Sequence, residues 1–132
     1  MKSPLELCSR YLVPAVRREL SLRLMKRELT GVEVARLLGV SPSLVSRYLN
    51  SERGAQIDLE RHRDAVEWIE RLADSVLSGH MDRYTVVREI DRIAMQFMVR
   101  RHLCGYHKKL EPDMDLTRCR ICPELFGDCS TN

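Results

Sequence analysis

The sequence predicts an all-α protein, and three observations carry that expectation. Apolar residues recur at three- and four-residue spacing through most of the chain. Ser, Thr and Asp stand repeatedly where helices would open, followed by Pro or Glu at capping positions. No alternating strand of convincing length occurs before Cys104. With 132 residues, 44% hydrophobic and 31% charged, the chain suits one compact domain or a small domain with an appendage.

Ser3-Pro4-Leu5-Glu6 reads as an N-cap, a first-turn proline and a capping-box partner. Pro14 should break or kink that first helix and start a second one through roughly Arg27. Thr30 and Glu33 form another capping box, opening a short helix that Gly39 ends. Ser41-Pro42 begins a helix to about Asn50. The polar stretch SERGAQI is the best candidate boundary. Leu59, Val66, Ile69, Ala73 and Val76 then share one helix face, which Gly79 terminates. Asp82 caps the next helix, with Val86, Ile90, Ile93, Phe97 and Met98 on its apolar side and Cys104-Gly105 closing it. Beyond Cys104 the chain is short, polar and turn-rich, and it cannot build a core unaided.

The net charge is +3, and its distribution matters more than its size. Residues 1–54 hold ten Lys and Arg against five Asp and Glu, a balance of +5. Residues 55–103 hold eight against nine and residues 104–132 four against five, so each balances to −1. Excess positive charge confined to the first segment points to a polyanionic partner. No run approaches the ~20 apolar residues that span a bilayer. The N-terminus MKSPLELCSRYL has no secretory apolar region, so a cytoplasmic protein with no membrane partner is expected.

The segment LTGVEVARLLGVSPSLVSRYLN places two short helices around a tight turn at Gly39-Val40. Ala35 is small where the helices cross, and Gly39 can take the positive φ of the turn. Val34, Leu38, Val40, Val45 and Tyr48 fall at spacings that would bury the pair against a third helix. Ser43, Ser46, Arg47 and Asn50 remain as a polar, basic face suited to a major groove.

This stretch resembles the lambda-repressor-like (XRE-type) helix-turn-helix regulators, most of all the archaeal ones. The match lies at Thr30, Val34, Ala35, Leu37 to Ser41 and Val45 to Leu49, and YLVPAVRREL is similar to the proline-bearing first helix of those members. It covers about residues 1–54. Gly31 and Pro42 depart from the pattern, because glutamines that clamp a phosphate and read a base are usual there. What the resemblance implies is a DNA-binding regulator, read through Ser41, Ser43, Ser46, Arg47 and Asn50, with Arg53 and also Arg18 on phosphates.

The tail reads Cys104-x2-His107-x11-Cys119-x2-Cys122-Pro-x5-Cys129. Four cysteines in 26 coreless residues make sense where a metal centre replaces the missing core. Two ligand sets compete. Zinc would take Cys104, His107, Cys119 and Cys122 as a closed tetrahedron and leave Cys129 unused. A 4Fe–4S cluster would take Cys104, Cys119, Cys122 and Cys129, and it is preferred because it uses every tail cysteine. That spacing is similar to the ligand sets of iron–sulfur DNA glycosylases and some redox-sensing bacterial regulators, which usually have five residues in the last gap where this chain has six. Cys8 reads as a small core hydrophobe, and His62, His80 and His102 as singletons.

The expected organisation is a helix-turn-helix domain at 1–54, a helical dimerisation region at 55–103 and an irregular metal-bound tail at 104–132. The apolar faces of the two long helices look too extensive for the head to cover. They would therefore also pair with a second copy, setting two heads one helical turn apart on a palindromic operator. The blander expectation is that they fold back on their own head. A DNA-modifying enzyme is the remote alternative, and neither a helix-hairpin-helix signature nor a catalytic Lys/Asp pair supports it.

Overall fold

The computed structural model describes residues 1–130, with side chains described through Gly127. Among these residues the structure is helical with no strand. The N-terminal helix is α1, Pro4–Leu7, running through a π-helical turn at Cys8–Leu12 into α2, Val13–Lys26. Pro14 was expected to break or kink this segment, yet the chain stays helical from Pro4 to Lys26. The wider turn is the physical reason. Pro14 has no N–H to offer, and the Val13 N–H reaches back to the Cys8 carbonyl, so the ladder absorbs the loss within one π turn.

Two short helices follow, α3 at Gly31–Leu38 and α4 at Pro42–Leu49. The Thr30 hydroxyl accepts the Glu33 N–H at 3.2 Å while the Glu33 carboxylate accepts the Thr30 N–H at 3.0 Å, so the expected capping box is complete. Gly39 sits at φ 69°, and the Val40 N–H bonds the Ala35 carbonyl at 3.0 Å, which closes α3. A Cβ on Gly39 would also stand 2.8 Å from Arg83 Cδ, so the turn lies directly against the helix that begins there.

Helices α5, Arg63–Leu77, and α6, Arg83–Val99, both pack on α2, and α6 also meets α3. The face of α6 is buried at Val86, Ile90, Ile93, Phe97 and Met98, as are Leu59, Ile69, Ala73 and Val76 of the preceding segment, whereas Val66, expected on the same face, is only half-buried. The blander of the two expectations therefore describes the fold. The long helices close over their own head, and the apolar faces that argued for pairing with a second copy are covered within the chain.

Arg23 locks this arrangement. It is 9% exposed and holds Glu19 at 2.6 Å, Glu70 at 2.6 Å and Glu60 at 3.0 Å. Burial pushes the Glu19 carboxyl above its ordinary range despite the guanidinium beside it.

The tail departs from the irregular segment expected. Helix α6 ends earlier than Cys104, because Arg101 adopts φ 65° and the His102 N–H bonds the Phe97 carbonyl at 3.1 Å. Cys104 instead opens α7, Cys104–Leu110, and α8 spans Ile121–Ser130. Helix α8 packs on α6, with Cys122 buried in the same core that holds Leu7, Leu38 and Ile69. The tail borrows a core from its neighbours, so residues of all three expected segments share one apolar interior.

Candidate functional site

Helix α4 is positioned from both ends and from behind. Ser41 caps its N-terminus by accepting the Leu44 N–H at 3.2 Å. Val45 and Tyr48 are buried against α2 and α3. At the C-terminus Arg18 of α2 donates to the Tyr48 carbonyl and to the Ser51 hydroxyl, each at 3.1 Å. Gly54 in the following loop sits at φ 76°, where a Cβ would fall 2.5 Å from the Pro14 carbonyl oxygen, so that loop lies hard against the π-turned helix.

What α4 leaves outward is the face the sequence indicated. Ser41, Ser43, Ser46, Arg47, Asn50 and Arg53 are all exposed. Ser41 and Ser43 lie hydroxyl to hydroxyl at 3.1 Å, so Ser41 serves first as a cap. Among the described residues the side chains of Ser46, Arg47, Asn50 and Arg53 make no hydrogen bond or ion pair, leaving four polar groups available to a ligand. Arg18 is a correction. Its guanidinium is committed to the end of α4 and to Glu19, so it holds the reading helix and is not presented to a phosphate. No sequence signal separated Arg18 from its exposed neighbours, because its role depends on a partner 30 residues away.

The cysteines form a looser group. Cys122 is buried, and its thiol is pushed up to about 11 by burial first and then by the neighbouring sulfurs of Cys104 and Cys119, against the pull of Arg101. Cys8, expected to be a small core hydrophobe, does pack partly buried against the core. Its thiol is also pushed up to about 11, by burial first, then by Asp91 and Cys122. The π turn begins at Cys8, and only the folded helix brings this position to the tail. The side chain of Cys129 lies outside the described residues.

Among the described residues no three His, Cys, Asp or Glu side chains converge as a metal site. In kind, thiolates suit a soft metal or a cluster, and binding one would require these sulfurs to lose their protons. His107 lies one helical turn from Cys104 on α7. It is 3% exposed, and its Nε2 lies 3.5 Å from Glu111 Oε1.

His62 and His102 were expected to be singletons and are a pair. Their rings stack at 4.5 Å beside Phe97. His102 Nε2 lies 2.8 Å from Asp64 Oδ2, and His62 Nε2 lies 3.3 Å from the Tyr106 hydroxyl of α7. Burial, and next the neighbouring His102, holds the His62 imidazole below its ordinary value.

No known family model, curated protein or solved structure matches this chain. Among the described residues no helix is long and apolar enough to cross a membrane.

Proposed function

We propose that this chain is a sequence-specific double-stranded-DNA-binding transcriptional regulator whose tail cysteines hold a 4Fe–4S cluster that senses redox state or iron. The observation that carries the DNA reading is the outward face of α4 and its C-terminal end, where Ser46 and Arg47 on the helix, Asn50 at its cap and Arg53 in the loop beyond have no partner among the described residues, the helix being held at both ends. A capped helix with fixed ends presents its side chains in one register, which base readout in a major groove requires. The +5 balance of residues 1–54 adds the electrostatic attraction that precedes readout. The same features support the resemblance to XRE-type regulators.

Cys104, Cys119, Cys122 and Cys129 would hold the cluster, and when bound it would supply a redox-labile link between α7 and α8. Loosening that link would act on α1 and α2, which pack nearby, and through Arg18 on the end of α4. The zinc alternative, with His107 as a ligand, draws support from the orphaned Nε2 of that residue. Two copies on a palindromic operator would have to meet through a surface other than the buried faces of α5 and α6.

Two measurements test this reading. Selection of bound duplexes from a random pool, followed by a salt titration, should give one enriched motif and affinity falling steeply with salt. Enrichment of nothing would sink the regulator reading. Metal content and absorbance of protein purified without oxygen should show about four irons per chain and a brown chromophore that bleaches in air. Colourless protein with about one zinc would favour the alternative.

A further inference from the structure

Between α5 and α6 lies a groove of about 470 Å³. Trp68 and Leu72 of α5 and Ile93 of α6 give it apolar walls, and Leu72 and Ile93 are themselves buried. Its rim is charged, with Arg71 on one helix and Arg88, Glu89 and Arg92 on the other. The volume lies within the roughly 300–1,000 Å³ of small-ligand sites.

The fold does not offset the charge of that rim. Arg71, Arg88 and Arg92 stand against the single carboxylate of Glu89, three positive charges against one negative, a balance of +2. Glu89 is moreover shared, its Oε1 with Arg88 at 3.1 Å and its Oε2 with Arg92 Nε at 3.4 Å. Among the described residues both Nη groups of Arg92 are left without a partner. Arg71 makes no hydrogen bond or ion pair there either, and Glu67, four residues before it, does not reach it. The other carboxylates of α5 are engaged elsewhere, Glu70 with Arg23, Asp74 with Arg27 and Asp64 with His102. On α6, Asp91 lies by Cys8. Guanidiniums facing one another across an apolar floor repel, and an anion between them relieves the repulsion.

We infer that this groove binds a small organic phosphate with an aromatic body. A phosphomonoester carries about −1.5 to −2 charges at neutral pH, which matches the balance of the rim. Its oxygens suit the forked donors of arginine, while the ring would lie against Leu72 and Ile93 beside Trp68. A carboxylate would bring half the charge and fewer acceptors. The position also gives a ligand leverage. Helix α6 opens at Arg83, whose side chain lies against the Gly39 turn that leads into α4. A ligand bracing α6 against α5 would act on that turn. This regulatory consequence rests on the reading of α4 as a DNA-reading helix, whereas the site itself does not.

Trp68 is the single tryptophan of the chain, so its emission reports on this groove alone. The test titrates the full chain with phenyl phosphate, using phenol, inorganic phosphate and phosphatidate vesicles for comparison. Phenyl phosphate should change the emission saturably and phenol should not. Inorganic phosphate should bind about tenfold more weakly, because it buries no ring. Arg71→Gln and Arg92→Gln, both at exposed positions, should each weaken phenyl phosphate about tenfold at an unchanged melting temperature. Glu89→Gln removes the one opposing charge and should tighten it, a gain that a merely structural role would not produce. No saturable change, an equal response to phenol, or weaker binding in Glu89→Gln overturns the site. A response to the vesicles without one to phenyl phosphate assigns the groove to a lipid surface and overturns the small ligand. In parallel, duplex affinity should differ with and without phenyl phosphate, and Arg71→Gln should leave it unchanged when no probe is present. Affinity lost in that variant gives the arginines to the DNA backbone and overturns the small ligand. Unchanged affinity despite bound probe overturns the regulatory consequence, and a chain that binds no duplex while Trp68 still responds defeats the DNA reading alone.

Discussion

The α3–α4 pair and the cysteine group are built by opposite means. In the first, each position is fixed by a neighbour a few residues away, through the Thr30–Glu33 box, the left-handed Gly39 and the Ser41 cap. In the second, Cys8, Cys104 and the Cys119–Cys122 pair come from three places in the chain and meet only through the packing of the π turn, α7 and α8 on the core. Short-range capping gives a rigid face with no ligand present. Long-range assembly gives a site whose donors are gathered without yet converging, and a bound group would have to finish it. A reading surface and a sensor differ in the same way, because one must be constant and the other must change.

The sharpest test of the contrast is metal occupancy. Cys122→Ser should abolish metal binding, because this sulfur neighbours the other described cysteines, while duplex affinity of the apo-protein stays as it was. Cys129→Ser should do the same, and Cys8→Ser should leave metal content unchanged. Metal lost in Cys8→Ser but kept in Cys129→Ser would move the fourth ligand to the first helix. Elemental analysis beside absorbance spectra decides between them.

Next in size is the joint between the two kinds of structure. Arg23→Ala leaves buried Glu19 with only the looser Arg18 contact at 3.4 Å and removes the ion pair from α2 to α5, which should cost about 2–4 kcal/mol in urea unfolding. A loss under about 1 kcal/mol would mean that the reading pair stands without the long helices, and the shared core would then contribute little to it. Below that lies readout itself. Arg47→Ala should lower affinity for the selected duplex by about 1–3 kcal/mol and relax preference at one base. Arg53→Ala should weaken all duplexes alike and reduce the salt slope by about 1. Neither should alter metal content.

The contrast also explains what was legible in the sequence. The all-α class, the helix starts at Thr30, Ser41 and Asp82 and most of the buried faces of α3 to α6 follow from residues near one another and are where the sequence puts them, with Val40 and Val66 only half-buried. The end of α6 was missed because Arg101, not a glycine, takes the left-handed turn, and nothing in the side chain announces it. The π turn before Pro14 was missed because proline usually breaks a helix, and a five-residue π turn is a rarer remedy. The task of Arg18 and the pairing of His62 with His102 depend on partners at least 30 residues away, and the helical tail depends on packing against α6. Pattern reading has no access to such pairings.

The smallest expected effect lies at the seam where α5, the end of α6 and α7 meet. His62 there has an imidazole held below its ordinary value of about 6.5 by burial and by His102. A depressed value means that the unfolded chain binds the proton more readily than the folded one. Stability should therefore fall as pH drops through about 6.5, and it should level off only below the folded-state value. His62→Gln keeps a polar group near the Tyr106 hydroxyl and removes the titration, so its melting temperature should be flatter between pH 7 and pH 5 than that of the parent chain. A parent profile already flat in that window would show that the fold leaves the His62 imidazole at its ordinary value. In the expected case the tail loosens with acid through α7 while α3 and α4 hold their caps. Hydrogen exchange at pH 5.5 should then rise in residues 104–110 before it rises in residues 31–49.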